Sequence, residues 1–308
     1  LNNLIKKYYK VAIITDENVY KIYKEKINIK GLDILRVKPG EKSKSFNVKN
    51  SLDEKLLEKK FNRNSLIIGF GGGVVGDLSG YVAATILRGI DLVHIPTSLI
   101  AIVDSSIGGK TGINSKNGKN LIGSFYNPRE ILINSEFINT LSLKEVRQGL
   151  SEIIKYGVIK NEKIFNFLEK SNKVFMQNHK KNIDKIIKEC IKIKIDTVEK
   201  DFKENDLRSI LNFGHTIGHA LEKKYSYKFS HGDCIGTGMA IESLIANNIY
   251  KLSTKNFSRI LKLLDKFELR KVSYKANDIE NLLDLMELDK KNKNSMITFS
   301  LPKKIGSM

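Results

Sequence analysis

Two cysteines, Cys190 and Cys234, are all the thiols in a chain of 308 residues. That scarcity excludes a disulfide framework and a four-thiolate zinc site, and it suits a reducing cytoplasm. No apolar run approaches the roughly 20 residues of a membrane span, so no membrane partner is expected. No signal peptide is visible. The chain opens on Leu1 just before a strand pattern, so a short N-terminal piece is expected to be missing. Internal repeats and low-complexity linkers are absent as well. Arginine is scarce, with eight against 45 lysines. The net charge of +19 would suit nucleic acid, an anionic membrane or an acidic substrate. The lysines are nevertheless scattered among Asn and Ile, and no RNP, zinc-finger or homeodomain pattern accompanies them. They read as solvated faces, and no nucleic-acid partner is expected.

What is present is an ordinary globular composition, 41% hydrophobic and 28% charged, long enough for two domains. The first half alternates. Apolar runs at Val11–Thr15, Leu32–Val37, Ser65–Phe70 and Asp91–Ile95 read as strands, and Ser51–Phe61 and Gly76–Leu87 as helices. Asp16-Glu17-Asn18 reads as a turn. This order predicts a parallel sheet with crossover helices. The second half predicts helices. Ser142 and Glu145 form a capping-box pattern that opens a helix to about Ile159. Amphipathic stretches follow at Glu162–Lys170, Ile183–Val198, Ile210–Lys223, Gly232–Asn247, Asn256–Lys266 and Asn277–Leu285. The expected architecture is α/β: a Rossmann-like dinucleotide-binding domain over 1–135 and an all-helical metal- and substrate-binding domain over 136–308.

Three motifs carry chemistry. Gly71-Gly72-Gly73-Val74-Val75-Gly76 has GxGxxG spacing between a strand and a helix, where backbone amides and a helix N-terminus favour a pyrophosphate. In a standard Rossmann unit that turn follows the first strand, so a variant fold is expected. His215, His219 and His231 cluster late in the chain. The first two are spaced to share a helix face, and His231 sits in a turn before another helix. Two histidines and one carboxylate make a catalytic zinc set. The spacing leaves open which two histidines bind, and whether Asp233 or a remote Glu supplies the oxygen. Gly108-Gly109-Lys110-Thr111 ends like a P-loop but lacks its first glycine, so an NTPase is excluded.

These stretches, with Asp104–Asn114, Gly118–Gly123, Gly149–Gly157, Leu211–His219 and His231-Gly232, together resemble the 3-dehydroquinate synthase family from about residue 11 to residue 300. The resemblance implies metal ligands Glu152, His215 and His231, for Zn2+ or Co2+. It implies NAD+ contacts at Asp16, Glu41, Lys42, Gly72, Gly73, Asp77, Thr97, Ser98, Lys119 and Thr140. It implies substrate groups at Asp104, Lys110, Asn120, Lys155, Lys194, Arg208, Asn212 and His219, with Lys290 or Lys291 completing the set. Arg88 matches an arginine lent to a neighbouring subunit, which implies a homodimer. The implied substrate is a sugar phosphate that also carries a carboxylate. A substrate with two anionic groups suits several lysines and the forked guanidinium of Arg208. Sister cyclases acting on carboxylate-free sugar phosphates would lack use for the set Arg208, Lys110, Lys194 and Asn212. A polyol dehydrogenase would lack the Gly-Gly-Lys-Thr-Gly-Ile-Asn segment.

Overall fold

The structure is a computed structural model that describes residues 5–172, 180–204, 206–287 and 296–308. The chain divides into two compact units, Leu1–Thr140 and Leu141–Met308.

The first unit is built on a five-stranded parallel sheet of order β2-β1-β3-β4-β7, with β1 Val11–Asp16, β2 Leu32–Val37, β3 Leu66–Gly71, β4 Asp91–Pro96 and β7 Glu130–Ile131. β3 is buried along its whole length, as a central parallel strand covered on both faces must be. Alternate residues divide between the faces. Ala12, Ile14, Ile67 and Leu92 pack under α2 (Phe46–Glu58) and α3 (Gly73–Thr85). Val11, Ile13, Ile68 and Val93 pack with Tyr23 and Ile27 of α1 (Glu17–Ile27). A two-stranded antiparallel hairpin, β5 Lys110–Ser115 and β6 Gly118–Phe125, forms a separate sheet.

Several local expectations needed revision. Asp16 is not merely a turn residue: its carboxylate accepts from Asn18 and Val19 amides and caps α1. No strand was expected at the P-loop-like segment, yet Lys110 opens β5 of the β5–β6 hairpin. The glycine turn follows β3 rather than β1, yet β1 and β3 are adjacent and β2 lies on the far side of β1. The strand order therefore reverses between them, and the turn still borders the crevice where such sheets bind ligands.

The second unit contains, among the described residues, helices α4 (Leu143–Ile159), α5 (Glu162–Lys170), α6 (Lys180–Lys200), α7 (His215–Lys224), α8 (His231–Ile249), α9 (Thr254–Lys266) and α10 (Ile279–Glu287). Both halves of the Ser142–Glu145 capping box are formed at the start of α4. The helix expected from Ile210 breaks. Leu207–Asn212 winds as a 3-10 turn, and Gly214 in left-handed conformation restarts the chain as α7. His231 is the first residue of α8, not a turn residue, with Ser230 as its N-cap. Ile217, Leu221, Cys234, Leu282 and Met286 knit α7, α8 and α10 together. No helix among the described residues is long and apolar enough to cross a membrane.

Candidate active site

In the second unit three helices bring Glu152, His215 and His231 to one point. Glycine makes the approach possible. Gly214 has φ +78, and a Cβ there would lie 2.4 Å from Met239 Cγ of α8. A Cβ at Gly232 would lie 2.7 Å from the Cα of Gln148 on α4. Bulk at either position would push apart the helices that carry the three side chains.

The geometry has a direction. His231 Nε2 lies 3.3 Å, and His215 Nε2 3.5 Å, from the same oxygen, Glu152 Oε1. Each ring is held from behind: His215 Nδ1 by the Phe213 carbonyl at 3.1 Å, and His231 Nδ1 by Glu222 Oε1 at 3.1 Å. Lys155 is ion-paired to the other oxygen of Glu152. Burial would raise the Glu152 carboxyl, but the Lys155 ammonium and both imidazoles outweigh it and hold the group well below its ordinary range. Burial, helped by Lys155, pushes His215 down to about 3. Burial opposes charge on His231 as well, but hydrogen bonds to Glu152 and Glu222 push it up to about 10. A carboxylate that is 1% exposed, faced by two Nε2 atoms, is a donor set for a divalent metal. His219, Glu222 and His231 form a second such group. The His219 ring stands 5.4 Å from that of His215 and 6.2 Å from that of His231.

The other candidates of this unit are mostly buried. Lys155, Lys194 and Arg208 are 1%, 6% and 2% exposed. Arg208 donates to the Phe202 carbonyl at 2.6 Å, and its backbone amide reaches Asp201 at 3.0 Å. Asn212 donates to Glu204 Oε1 at 2.9 Å. Lys290 and Lys291 lie outside the described residues.

In the first unit the candidates gather around strand ends. Gly72 is the N-cap of α3 and offers no side chain, so first-turn amides point outward for an anion. Ser98 and Ser105 hydroxyls flank Gly72 and Gly73. They border a small pocket, partly open to solvent, with Gly69, Gly76, His94 and Pro96 in its wall. Thr97 is buried and its amide bonds the Gly71 carbonyl. Thr140 Oγ1 meets the Tyr23 hydroxyl at 2.7 Å. Asp104 is half-buried in a π-helical turn, Ala101–Ser105. Lys110 and Asn120 are exposed on the hairpin, and Lys119 is half-buried. Arg88 is exposed, with φ +65.

Three residues went unnamed at the sequence level. Lys42 is exposed, whereas Lys44 is buried and pairs with Asp77 at 2.6 Å, with Glu41 at 3.6 Å and with Asn120. Burial would lower the Lys44 ammonium, but Asp77 and Glu41 outweigh it and hold it above its ordinary value. Glu204 and Glu222 are the others. Only Glu222 had a local signal, standing three residues after His219 on the same helix face.

Residues 34–148 match the family model described as 3-dehydroquinate synthase N-terminal, and residues 149–292 the model described as 3-dehydroquinate synthase C-terminal. A 3-dehydroquinate synthase of Dictyoglomus thermophilum is 44% identical over 312 residues, covering 100% of this chain and 86% of that one. Among solved structures, 2-deoxy-scyllo-inosose synthase complexed with carbaglucose-6-phosphate, NAD+ and Co2+ superposes with TM-score 0.87 at 26% identity, covering 98% of this chain and 85% of that one. The 2-epi-5-epi-valiolone synthase of Streptomyces hygroscopicus, with NAD+ and Zn2+ bound, shares the fold at TM-score 0.90 and 23% identity, covering 99% of this chain and 87% of that one.

Proposed function

On the premise that the chain belongs to the 3-dehydroquinate synthase family, and is the lyase that turns 3-deoxy-D-arabino-heptulosonate 7-phosphate into 3-dehydroquinate and phosphate, we propose how its residues share that reaction. The conversion is redox-neutral overall: transient oxidation of an alcohol, β-elimination of phosphate, return of hydride, and intramolecular aldol closure. When bound, NAD+ supplies a reversible hydride acceptor, and the divalent metal, Zn2+ or Co2+, a Lewis acid.

Glu152, His215 and His231 hold the metal. The observation that carries this is the aim of two Nε2 atoms at one buried carboxylate oxygen from three different helices. The uncapped start of α3, with Gly72, Gly73, Thr97 and Ser98, receives the dinucleotide pyrophosphate. Asp16, Glu41, Lys42, Asp77, Lys119 and Thr140 orient the remainder of NAD+, and Lys44 neutralises Asp77.

Lys155, Lys194, Arg208 and Asn212, with Asp104, Lys110 and Asn120, bind the two anionic ends of the substrate. Buried cations suit this task, because each is worth more against an anion where water is excluded. Arg208 grips paired oxygens in fork geometry. His219 accepts or returns a proton at its imidazole beside the metal ligands. Arg88 reaches the site of a second subunit in a cytoplasmic homodimer, and residues 1–135 and 136–308 act as cofactor and metal–substrate domains. The partner is a small sugar phosphate, with neither nucleic acid nor membrane engaged.

Phosphate release from 3-deoxy-D-arabino-heptulosonate 7-phosphate, with NAD+ and Zn2+, tests the reading. The expected result is metal-dependent release with no net NADH. Net NADH would indicate a polyol dehydrogenase, and release only from carboxylate-free sugar phosphates a sister cyclase.

A further inference from the structure

Glu222 belongs to none of the assignments above, yet it is 7% exposed and faces the candidate metal ligands. It lies on α7 seven residues after His215 and three after His219, so the three share one stripe of the helix. Its Oε1 is 3.1 Å from His231 Nδ1, while the Nε2 of the same ring is 3.3 Å from Glu152 Oε1. The His231 ring is thus clamped between two carboxylates on opposite edges. His215 differs, because its Nδ1 faces the neutral Phe213 carbonyl.

Two groups of donors meet at His231: Glu152 with His215, and Glu222 with His219. A single imidazole offers one lone pair to a metal when its other nitrogen carries a proton. The group containing Glu152 has both Nε2 atoms aimed at one oxygen and both Nδ1 atoms engaged behind. That leaves Glu222 the rear position.

Resting on the metal-site reading above, we propose that Glu222 is a positioning residue that accepts the Nδ1 proton of His231, fixes its Nε2 lone pair toward the metal, and strengthens it as a donor. The ion then has one imidazole backed by an anion and one backed by a carbonyl. Outer carboxylates of this kind change metal affinity by roughly 10- to 100-fold. His231, which opens α8, is thereby the ligand whose donor strength is set by another helix.

The test uses the full-length chain with Zn2+ or Co2+. Glu222→Gln keeps an acceptor of the same shape and removes the charge, and Glu222→Ala removes both. Zn2+ affinity is measured by competition with a chromophoric chelator, and the ligand field by the visible bands of the Co2+ form. The expected result is affinity about 10-fold weaker in Glu222→Gln and about 100-fold weaker in Glu222→Ala, with Co2+ bands of unchanged intensity at saturating metal. Unchanged affinity in both variants would overturn the proposal. So would a collapsed Co2+ spectrum in Glu222→Gln combined with retained binding in Glu152→Gln, which would make Glu222 a direct ligand. Should Glu222→Ala fail to fold, as judged by circular dichroism of the metal-free chain, Glu222→Gln alone decides. The metal-site reading fails separately, if Glu152→Gln and His215→Ala each bind Zn2+ like the parent chain.

Discussion

In the first unit the candidate residues hang on turns and strand ends, many of them half-exposed, and backbone amides at the start of α3 are the proposed anion readers. In the second unit Glu152, Lys155, Lys194 and Arg208 are almost fully buried on helices or a 3-10 turn, and side chains carry the chemistry. The contrast matches what each unit is proposed to hold. A pyrophosphate is satisfied by uncapped helix amides that cost little to leave exposed. A metal site that uses a buried carboxylate as a donor needs compensating charge close by for that carboxylate to stay charged in the fold. Lys155 and His231 provide that compensation, so the second unit is the more sensitive to loss of one charge.

The sharpest way to probe that difference is Glu152→Gln. Metal binding should be lost, and turnover should fall roughly a thousandfold, about 4 kcal/mol, in a phosphate-release assay. Retained metal content would break the comparison at its strongest point. The first unit has a buried lysine of its own, Lys44, paired with Asp77. Lys44→Met should destabilise by about 3 kcal/mol in urea unfolding, the low end for a buried pair, because Asp77 keeps 23% of its side chain exposed. An effect below about 1 kcal/mol would mean that this pair behaves as a surface one.

His94 gives a pH test inside the first unit. Burial pushes it down to about 4, so the folded chain binds its proton less readily than the unfolded chain does. Its contribution to stability is complete above about pH 6.5 and is lost as pH falls toward about 4, reaching about 3 kcal/mol. Urea midpoints of His94→Gln and the parent chain should therefore converge between pH 7 and pH 4.5; parallel curves would refute the assignment. The smallest expected effect is at Asp16. Asp16→Ala should cost about 1 kcal/mol by removing the α1 cap, whereas Asp16→Asn should cost almost nothing. A fall in NAD+ affinity in Asp16→Asn, without a change in stability, would separate the cofactor contact from the cap.

Some of this was legible locally and some was not. The strand before Gly71, the capping box at Ser142 and the shared helix face of His215 and His219 all stand in the structure. Missed were the capped helix after Asp16, whose turn-like residues are also N-cap residues, and the hairpin from Lys110, whose glycines mask its alternation. The break at Gly214 was missed because amphipathic spacing ran on through Ile210–Lys223 while tertiary packing against Met239 demanded a left-handed residue. Lys42 and Lys44 look alike in sequence, and only burial tells them apart.

By itself the sequence determined what lies within a turn or two of chain: alternating strands and helices, a glycine turn at a helix start, and two histidines on one face. These follow from backbone periods of 2 and 3.6 and from short-range hydrogen bonds. Residue spacing left the oxygen ligand and the choice of histidines open, and only the likeness to a family pointed to Glu152 and His231. The tertiary structure alone decided that both Nε2 atoms face Glu152, that Glu222 backs His231, and that Lys44 pairs with Asp77. The physical reason is that buried charges far apart in sequence take their partners from the helix and strand packing that buries them, and no local period encodes that packing.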